Sequence, residues 1–264
     1  MSATGATSEK VSGRLRGTAR AATNALGRRA TRWERSAHRH FLAVGSRVEC
    51  PVCGWHGVSF AASRKPRRMN RLCPECFSSE RDRALQLWLD RHPVRPDARI
   101  LEVAPLGLLR PASERLGYEY TSVDLHSSRA EIRGDLCGLP FATGSFDVIA
   151  CFHVLEHVPA DVEAAAQIAR VLRDDGEAVV IVPWDKTNDD TDEDFEAGPE
   201  ERLRRFGQAD HVRMYGRDVA DRFRSGGLHV TEVLWRDVFS ADDFRRCALR
   251  GDDDRFWICT PAGR

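Results

Sequence analysis

The chain has 264 residues, of which 42% are hydrophobic and 30% are charged, and its 40 basic and 40 acidic side chains give a formal net charge of zero. This is ordinary globular composition, sufficient for one large core or two smaller ones. No apolar run approaches the roughly 18 residues of a membrane span, and the chain start lacks the apolar segment of a secretory signal, so we expect a soluble, cytoplasmic protein.

Residues 1–44 are predicted to form a basic tail. Positions 1–40 hold nine Lys or Arg and two acids, and they are rich in Ala, Thr and Ser. A segment with so little apolar surface favours a flexible tail. An organelle transit peptide is the alternative, because such peptides have a similar composition.

Two Cys-x-x-Cys pairs lie within residues 45–80. Cys50 and Cys53 form the first pair, and Cys73 and Cys76 form the second, with nineteen residues between them. Each turn can present two thiolates to one tetrahedral ion, and four cysteines leave no coordination position open. The segment therefore predicts a small zinc-ribbon-like module with a structural zinc. A redox dithiol would need only one pair.

A run of cations lies between the two pairs, and its members are Arg64, Lys65, Arg67, Arg68 and Arg71. One interpretation is a solvated loop. The other is contact with phosphate, either of RNA or of a phosphorylated small substrate.

A connecting helix is predicted over residues 81–94. Ser79 and Asp82 match a capping box ahead of apolar residues at helical spacing, from Ala84 to Leu89, and the helix should end before Pro93. Its apolar face is expected to dock the cysteine module onto the following domain.

Residues 95–264 show strands alternating with helices. Apolar strands are predicted at 100–104, 120–125, 146–152 and 178–183, and a helix at 161–173 with Gly176 as its stop. Strands separated by helices imply a mainly parallel sheet. Two more strands, at 229–235 and 255–260 with little helix pattern between them, predict an antiparallel pair at the sheet edge.

Polar residues follow the predicted strands where an open α/β sheet binds ligands. Asp124 closes the second strand, twenty-two residues after Glu102, which is the usual distance for a carboxylate that accepts hydrogen bonds from ribose hydroxyls. Asp135 is then placed to meet an adenine amine. His153 and its neighbours Glu156 and His157 would face the same ligand, or serve as helix-start and packing residues.

In combination, these segments resemble a class I S-adenosylmethionine-dependent methyltransferase over residues 99–260. The matching strings are ILEVAPLG (100–107), TSVDL (121–125), GDLCGLPF (134–141), SFDVIACFHVLEHV (145–158), ARVLRDDGEAVVIVPW (169–184) and SGGLHV (225–230). The resemblance implies an α/β fold with a Rossmann-like, doubly wound, mostly parallel seven-stranded sheet, preceded by the cysteine module. It also implies S-adenosylmethionine as the cofactor.

The resemblance assigns cofactor binding to residues at the carboxyl ends of the strands. These are Glu102, Ala104, Gly107, Asp124, Leu125, Asp135, Leu136, Phe152 and His153. The first loop departs from the family, which usually has several glycines where this chain has Ala104-Pro105-Leu106. Pro105 removes one N–H donor from that loop.

An insert near residues 185–217 contains the string FGQADHVRMYG (206–216). In the family, the equivalent insert usually closes over the methyl acceptor. His211 and Asp210 are therefore candidates for the general base or for acceptor orientation, with Arg213 and Tyr215 as contacts. His153 competes for the role of base, and a simple loop anchor is the alternative for the string.

The resemblance favours methyl transfer to a hydroxyl of a small molecule or glycan component. The chain lacks the Asn/Asp-Pro-Pro-aromatic motif of amino-directed methylases and the Pro-Cys setting of pyrimidine C5 methylases. RNA methylation is an alternative, because the tail and the loop between the cysteine pairs are basic. A second alternative is a non-catalytic zinc-ribbon interaction module with a vestigial cofactor fold. The sequence indicates no oligomeric state.

Overall fold

The computed structural model describes residues 42–63, 68–105, 109–251 and 254–263. The predictions for the tail up to residue 41, for Arg64, Lys65 and Arg67, and for Gly107 concern positions outside these ranges.

The described residues form short and long strands joined by helices. The strands are β1 (Val48–Glu49), β2 (His56–Gly57), β3 (Arg99–Val103), β4 (Glu119–Asp124), β5 (Ile132–Arg133), β6 (Phe146–Phe152), β7 (Leu172–Ile181), β8 (Asp192–Glu193), β9 (Arg213–Met214), β10 (Leu228–Leu234) and β11 (Arg255–Pro261). The α-helices are α1 (Glu80–Arg91), α2 (Leu109–Leu116), α3 (Asp161–Val171), α4 (Pro199–Phe206), α5 (Val219–Ser225), α6 (Trp235–Val238) and α7 (Ala241–Arg246). Single 3-10 turns lie at Leu136–Gly138 and Leu155–His157.

The seven main strands form one sheet in the order β10-β11-β7-β6-β3-β4-β5. The pairs from β7 to β5 are parallel, whereas β11 runs antiparallel to both β7 and β10. This confirms the Rossmann-like, doubly wound, mostly parallel sheet and the antiparallel pair at its edge. The strand order reverses between β3 and β6, and a crevice at the carboxyl ends of the strands opens at such a point.

Both faces of the sheet are buried, and successive residues of one strand serve opposite faces. Leu101 of β3 packs with Ala164 and Ile168 of α3, whereas its neighbour Ile100 packs with Leu85 and Trp88 of α1. Strands covered on both sides need apolar residues at almost every position. This is why β3 and β6 are mostly apolar in sequence, with Glu102 and Asp147 as their internal exceptions.

We call the described part of residues 45–80 the cysteine segment. It packs against residues near the C-terminus through one buried cation, Arg83. The Arg83 guanidinium donates hydrogen bonds to the carbonyl oxygens of Cys247 (2.6 Å), Ser78 (2.7 Å) and Arg71 (3.0 Å). Its Cζ atom lies 4.0 Å from the centre of the Phe60 ring. Helix α1 therefore does more than dock the module with its apolar face, because Arg83 also ties the module to residues near the C-terminus.

Two local predictions are wrong. Helix α3 ends at Val171 and β7 begins at the next residue, so Gly176 lies inside a strand and does not stop the helix. A Cβ atom at Gly176 would lie 2.9 Å from the Asp147 carbonyl oxygen of β6, which explains why glycine occupies this position in the strand. Helices α6 and α7 also occupy the segment between β10 and β11, where little helix was expected.

Across the part of the chain that the structure describes, every helix is too short or too polar to cross a bilayer.

Replacing Gly176 by Ala should destabilise the protein by about 1–3 kcal/mol, because the new methyl group overpacks against the backbone of β6. Chemical denaturation measures the change in the free energy of unfolding. Gly138→Ala is the matched control, since a Cβ atom there meets nothing within 4 Å. Equal stability of the two variants would contradict the close approach of β7 to β6.

Candidate active site

A cavity of about 340 Å³ opens at the carboxyl ends of β3, β4 and β6, and we call it the strand-edge cavity. The predicted cofactor residues that line it are Ala104, Asp124, Leu125, Asp135, Leu136 and His153. Its volume is within the range of small-molecule sites, and it lies at the switch point of the sheet. The structure thus brings six of the predicted residues, which lie on separate loops, to one crevice.

Two carboxylates of this cavity are held by backbone amides. Asp124 Oδ1 accepts hydrogen bonds from the N–H groups of His126 (2.7 Å) and Ser127 (2.6 Å). Asp135 Oδ1 accepts one from Cys137 N–H at 2.9 Å. Among the described residues, Asp124 Oδ2 has no hydrogen-bond partner. One oxygen of Asp124 is therefore fixed in place while the other can accept a hydrogen bond from a ligand hydroxyl.

The backbone at the rim of the cavity is strained at two positions. Ala104 and His153 both have φ of 54°, a left-handed conformation that costs a non-glycine residue about 1 kcal/mol. Strain of this kind persists where the surrounding structure demands it, and it concentrates at functional sites. Each residue directly follows an inner strand of the sheet, β3 or β6. The strained backbone conformation therefore changes the direction of the chain at the edge of the crevice.

Two other predicted cofactor residues lie elsewhere. Glu102 accepts a hydrogen bond from the Tyr120 hydroxyl at 2.5 Å. Glu102 and Phe152 both line a separate small cavity of about 40 Å³, which also includes Ala104. The structure therefore does not bring these two side chains to the strand-edge cavity.

A larger cavity of about 650 Å³ lies beside the first, and we call it the cap cavity. It is lined by the end of β7, by Trp184 to Thr187 and Met214 of the predicted insert, and by residues of the cysteine segment and α1. His153 lines both cavities. Its imidazole is thus placed between two adjacent binding spaces.

The His153 ring is held by a buried carboxylate. Its Nδ1 lies 2.9 Å from Oε1 of Glu156, a residue with 0% of its surface exposed. Because a carboxylate accepts hydrogen bonds, this contact favours the imidazole tautomer that has its proton on Nδ1 and a lone pair on Nε2. Nε2 is buried and has no hydrogen-bond partner within the described residues.

His211 approaches the same carboxylate from the insert but lines neither cavity. Its Nδ1 lies 3.0 Å from the Phe206 carbonyl oxygen, and its Nε2 lies 3.9 Å from Glu156 Oε1. Burial lowers the pKa of His211, so the ring is neutral near pH 7. Asp210 is exposed and its carboxylate lies 3.6 Å from Nδ1 of His157, which lines the strand-edge cavity, but Asp210 itself lines neither cavity.

Arg213 and Tyr215, expected to contact the acceptor, are anchors of the insert. Arg213 is 0% exposed and donates hydrogen bonds to the carbonyl oxygens of Leu155 (2.8 Å) and Pro159 (2.8 Å). The Tyr215 hydroxyl donates to Asp161 Oδ2 at 2.9 Å. The expectation of acceptor contact is therefore corrected, because the structure uses both side chains to fasten the insert to the turn after β6 and to α3.

Asp161 is the charged centre of this anchor. Burial acts to raise the pKa of Asp161, but the Arg222 hydrogen bonds and the Arg213 charge outweigh it, so the pKa is lowered overall. Arg222 donates to both oxygens of Asp161, at 2.8 and 2.9 Å. The carboxylate is ionised in the folded protein and holds α5 and the insert against α3.

The four predicted metal ligands form one cluster. The sulfur atoms of Cys50 and Cys76 lie 3.7 Å apart, as do those of Cys53 and Cys73. All four sulfurs lie within 4.8 Å of one another. A tetrahedron with Zn–S bonds of about 2.3 Å places its sulfurs about 3.8 Å apart, so this donor set fits a zinc ion.

Sequence reasoning missed most of the cap cavity. Arg81, Trp184, Trp235 and Arg255 line it, although they come from four separate segments of the chain. Only Trp184, three residues after the end of β7, had a sequence signal, because it follows the carboxyl end of a predicted strand. The others are brought together by the packing of α1, α6 and β11.

Comparison with known proteins gave a match between residues 105–180 and the family model described as a methyltransferase domain. No match was found among curated proteins. The chain is similar in structure to an S-adenosylmethionine dependent methyltransferase from Mesorhizobium loti, with 16% identity and a TM-score of 0.48, covering 67% of this chain and 96% of that one. It is also similar to the PH0226 protein from Pyrococcus horikoshii, with 16% identity and a TM-score of 0.45, covering 69% and 89%.

Both structural likenesses are too distant to transfer a substrate to this chain. The domain match covers β6, α3 and most of β7, whose ends border the two cavities. The match indicates a methyltransferase domain within residues 105–180 and does not determine an acceptor.

Replacing Asp161 by Asn should lower the free energy of unfolding by about 3 kcal/mol at pH 7, because Arg222 and Arg213 lose a buried counter-charge. The pKa of Asp161 is lower in the folded state than its usual value of about 3.9, so its stabilising effect is complete above that pH and is lost as the pH falls through the folded-state pKa.

Denaturant titrations at pH 7 and at pH 3 measure this effect, and the difference between Asp161→Asn and the unaltered protein should shrink at the lower pH. Asp221→Asn removes an exposed pair with Arg224 and should change stability little. A difference that is independent of pH would contradict an ionised Asp161.

Proposed function

We propose that the protein transfers a methyl group from S-adenosylmethionine to a hydroxyl group of a small molecule or glycan component. The observation that carries this proposal is the placement of His153. Its imidazole lines both cavities, its Nδ1 faces a buried carboxylate, and its Nε2 has no partner among the described residues. A hydroxyl acceptor needs such a base, because it must lose a proton as it becomes methylated.

The strand-edge cavity is proposed as the cofactor site. Asp124, with one oxygen still able to accept, suits the ribose hydroxyls, and Asp135 suits the adenine amine. Leu125 and Leu136 supply apolar walls for the base, and the strained turn at Ala104 lets the backbone approach the methionine part. When bound, the cofactor supplies a methyl group activated by its sulfonium. Glu102, Phe152 and Gly107 stay predictions.

His153 is proposed as the general base. Its Nε2 lone pair would accept the acceptor's hydroxyl proton, while Glu156 holds the proton on Nδ1 and stabilises the imidazolium that forms. Glu156 is suited to this task because it is fully buried and faces two imidazoles. His211 is proposed as a positioning residue that packs beside Glu156, and the exposed Asp210 has no step in this mechanism.

The four cysteines are proposed to bind one structural zinc ion. The cluster provides four sulfur donors and fits a closed tetrahedral site, which leaves no position for substrate. The ion would therefore stabilise the fold of residues 45–80 and would carry no catalytic step.

At saturating S-adenosylmethionine, His153→Ala should lose about 10²–10⁴-fold in methyl transfer, because the proton acceptor is removed. Asp124→Ala should lose at least about tenfold in S-adenosylhomocysteine affinity, since it removes the carboxylate of the sugar site. Calorimetry measures binding, and mass spectrometry of cell extracts supplied with isotopically labelled methyl donor measures transfer.

His229→Ala is the control for the histidine variant, because its side chain is exposed on β10 and outside both cavities. Label that accumulates in RNA, or on nitrogen or carbon atoms of small molecules, would contradict hydroxyl methylation. Full transfer by His153→Ala would contradict the assigned base.

Elemental analysis of the purified protein should give about one zinc per chain. Cys73→Ser should lose the zinc and lower the melting temperature, because a buried ligand of a closed site is replaced. Cys137→Ser changes a half-buried thiol outside the cluster and should retain the metal. A folded protein without zinc would be inconsistent with this site.

A further inference from the structure

The described residues that line the cap cavity carry more positive than negative charge, although the whole chain is neutral. Among these described residues, five have cationic side chains, namely Arg68, Arg71, Arg81, Lys186 and Arg255. Three carboxylates also line it, those of Glu80, Asp185 and Asp254. A space that encloses an excess of cations concentrates anions, because low-dielectric walls strengthen their field.

Some of these cations are already paired. Arg71 Nε lies 3.3 Å from Glu80 Oε2. Arg255 pairs with Glu232 outside the cavity, and its guanidinium lies 3.8 Å from the centre of the Trp184 ring. These two arginines form walls of the cavity whose charges are compensated by the protein.

Arg81 differs, because it is half-buried and its guanidinium makes no hydrogen bond or ion pair within the described part of the chain. Burial lowers the pKa of Arg81, and the charge of Arg71 lowers it further, whereas the charges of Asp82 and Glu80 act in the opposite direction. A partly desolvated cation without a direct partner is costly, and a bound anion would offset that cost. Arg68, on the same cavity, also has no partner for its guanidinium among those residues.

A second observation points to an acceptor-rich ligand. The Trp235 side chain lines the cap cavity and is 1% exposed, and its indole N–H has no hydrogen-bond partner in the described ranges. A buried N–H without a partner costs about 1–3 kcal/mol, which an oxygen of a bound molecule would recover.

We infer that the methyl acceptor is a small hydroxylated phosphate ester, whose phosphate is bound by Arg81 with Arg68 while its hydroxyl faces His153. This inference rests on the proposed methyl transfer. The guanidinium groups of Arg68 and Arg81, which have no partner among the described residues, together carry two positive charges and match a phosphate monoester dianion better than a single carboxylate. Arginine also suits phosphate, because its planar guanidinium donates parallel hydrogen bonds to two oxygens.

The same arrangement gives the cysteine segment a part in substrate binding. Arg68 and Arg71 lie between the two cysteine pairs, and Arg81 lies in the first turn of α1. The segment thus lines the inferred acceptor site, and the proposed zinc stabilises its conformation there.

The test is calorimetry with inorganic phosphate, in a phosphate-free buffer and with the protein saturated with S-adenosylhomocysteine. The unaltered protein should bind phosphate, and Arg81→Gln should bind it at least tenfold more weakly. Arg204→Gln is the control, because this exposed arginine pairs with Glu201 on α4, away from the cavity. Arg68→Gln, an exposed position, provides a second variant if Arg81→Gln fails to fold.

Competition experiments with bound phosphate distinguish a phosphate ester from a carboxylate and from RNA as the ligand of the cap cavity. A hexose 6-phosphate should displace phosphate, whereas the parent hexose and a hexuronate should not. Displacement by the hexuronate at equal concentration, or by single-stranded RNA but not by the sugar phosphate, would overturn the inference.

Absence of phosphate binding in a protein that binds S-adenosylhomocysteine would also overturn it and leave the proposed methyl transfer in place. Absence of S-adenosylhomocysteine binding would instead remove the proposed function, and with it this inference.

Discussion

The buried guanidinium of Arg83 joins the cysteine segment to the residues that follow β10. It joins carbonyl oxygens from the cysteine segment and from residues near the C-terminus, and it stacks on Phe60. A buried cation is stable only when its donors are satisfied, so each of these backbone segments is fixed relative to α1. Arg81, two residues earlier on the same helix, reaches the cap cavity from this fixed position.

The sheet was predictable because its strands have clear sequence signals. Apolar runs such as that of β6 identify strands buried on both faces, and the helices between them imply parallel pairing. The wrong predictions concern positions where a local sequence signal and long-range packing favour different structures. Gly176 has the signal of a helix stop, yet it serves the close packing of β7 on β6. Ser240 and Asp243 form a capping box like that of Ser79 and Asp82, and this pattern could have indicated α7.

The candidate site was predictable to the extent that its residues follow strands. Asp124 and His153 come at carboxyl strand ends, and topology alone brings these ends together. The sequence alone could not decide between His153 and His211 as the general base, because the decision depends on the direction in which each side chain points. Both rings approach Glu156, but only His153 also lines the cavities. Arg255 and Trp235 could not be assigned either, since no periodic pattern relates them to the cysteine segment.

The contact between Arg83 and Cys247 joins residues 164 positions apart in the sequence. Closing so long a loop carries an entropic cost before any contact offsets it, and it requires that the chain has been synthesised beyond Cys247. Arg255, which lines the cap cavity, comes later still along the chain. The cap cavity is therefore completed only after β11 has been synthesised, and before that point the strand-edge cavity lacks its neighbour.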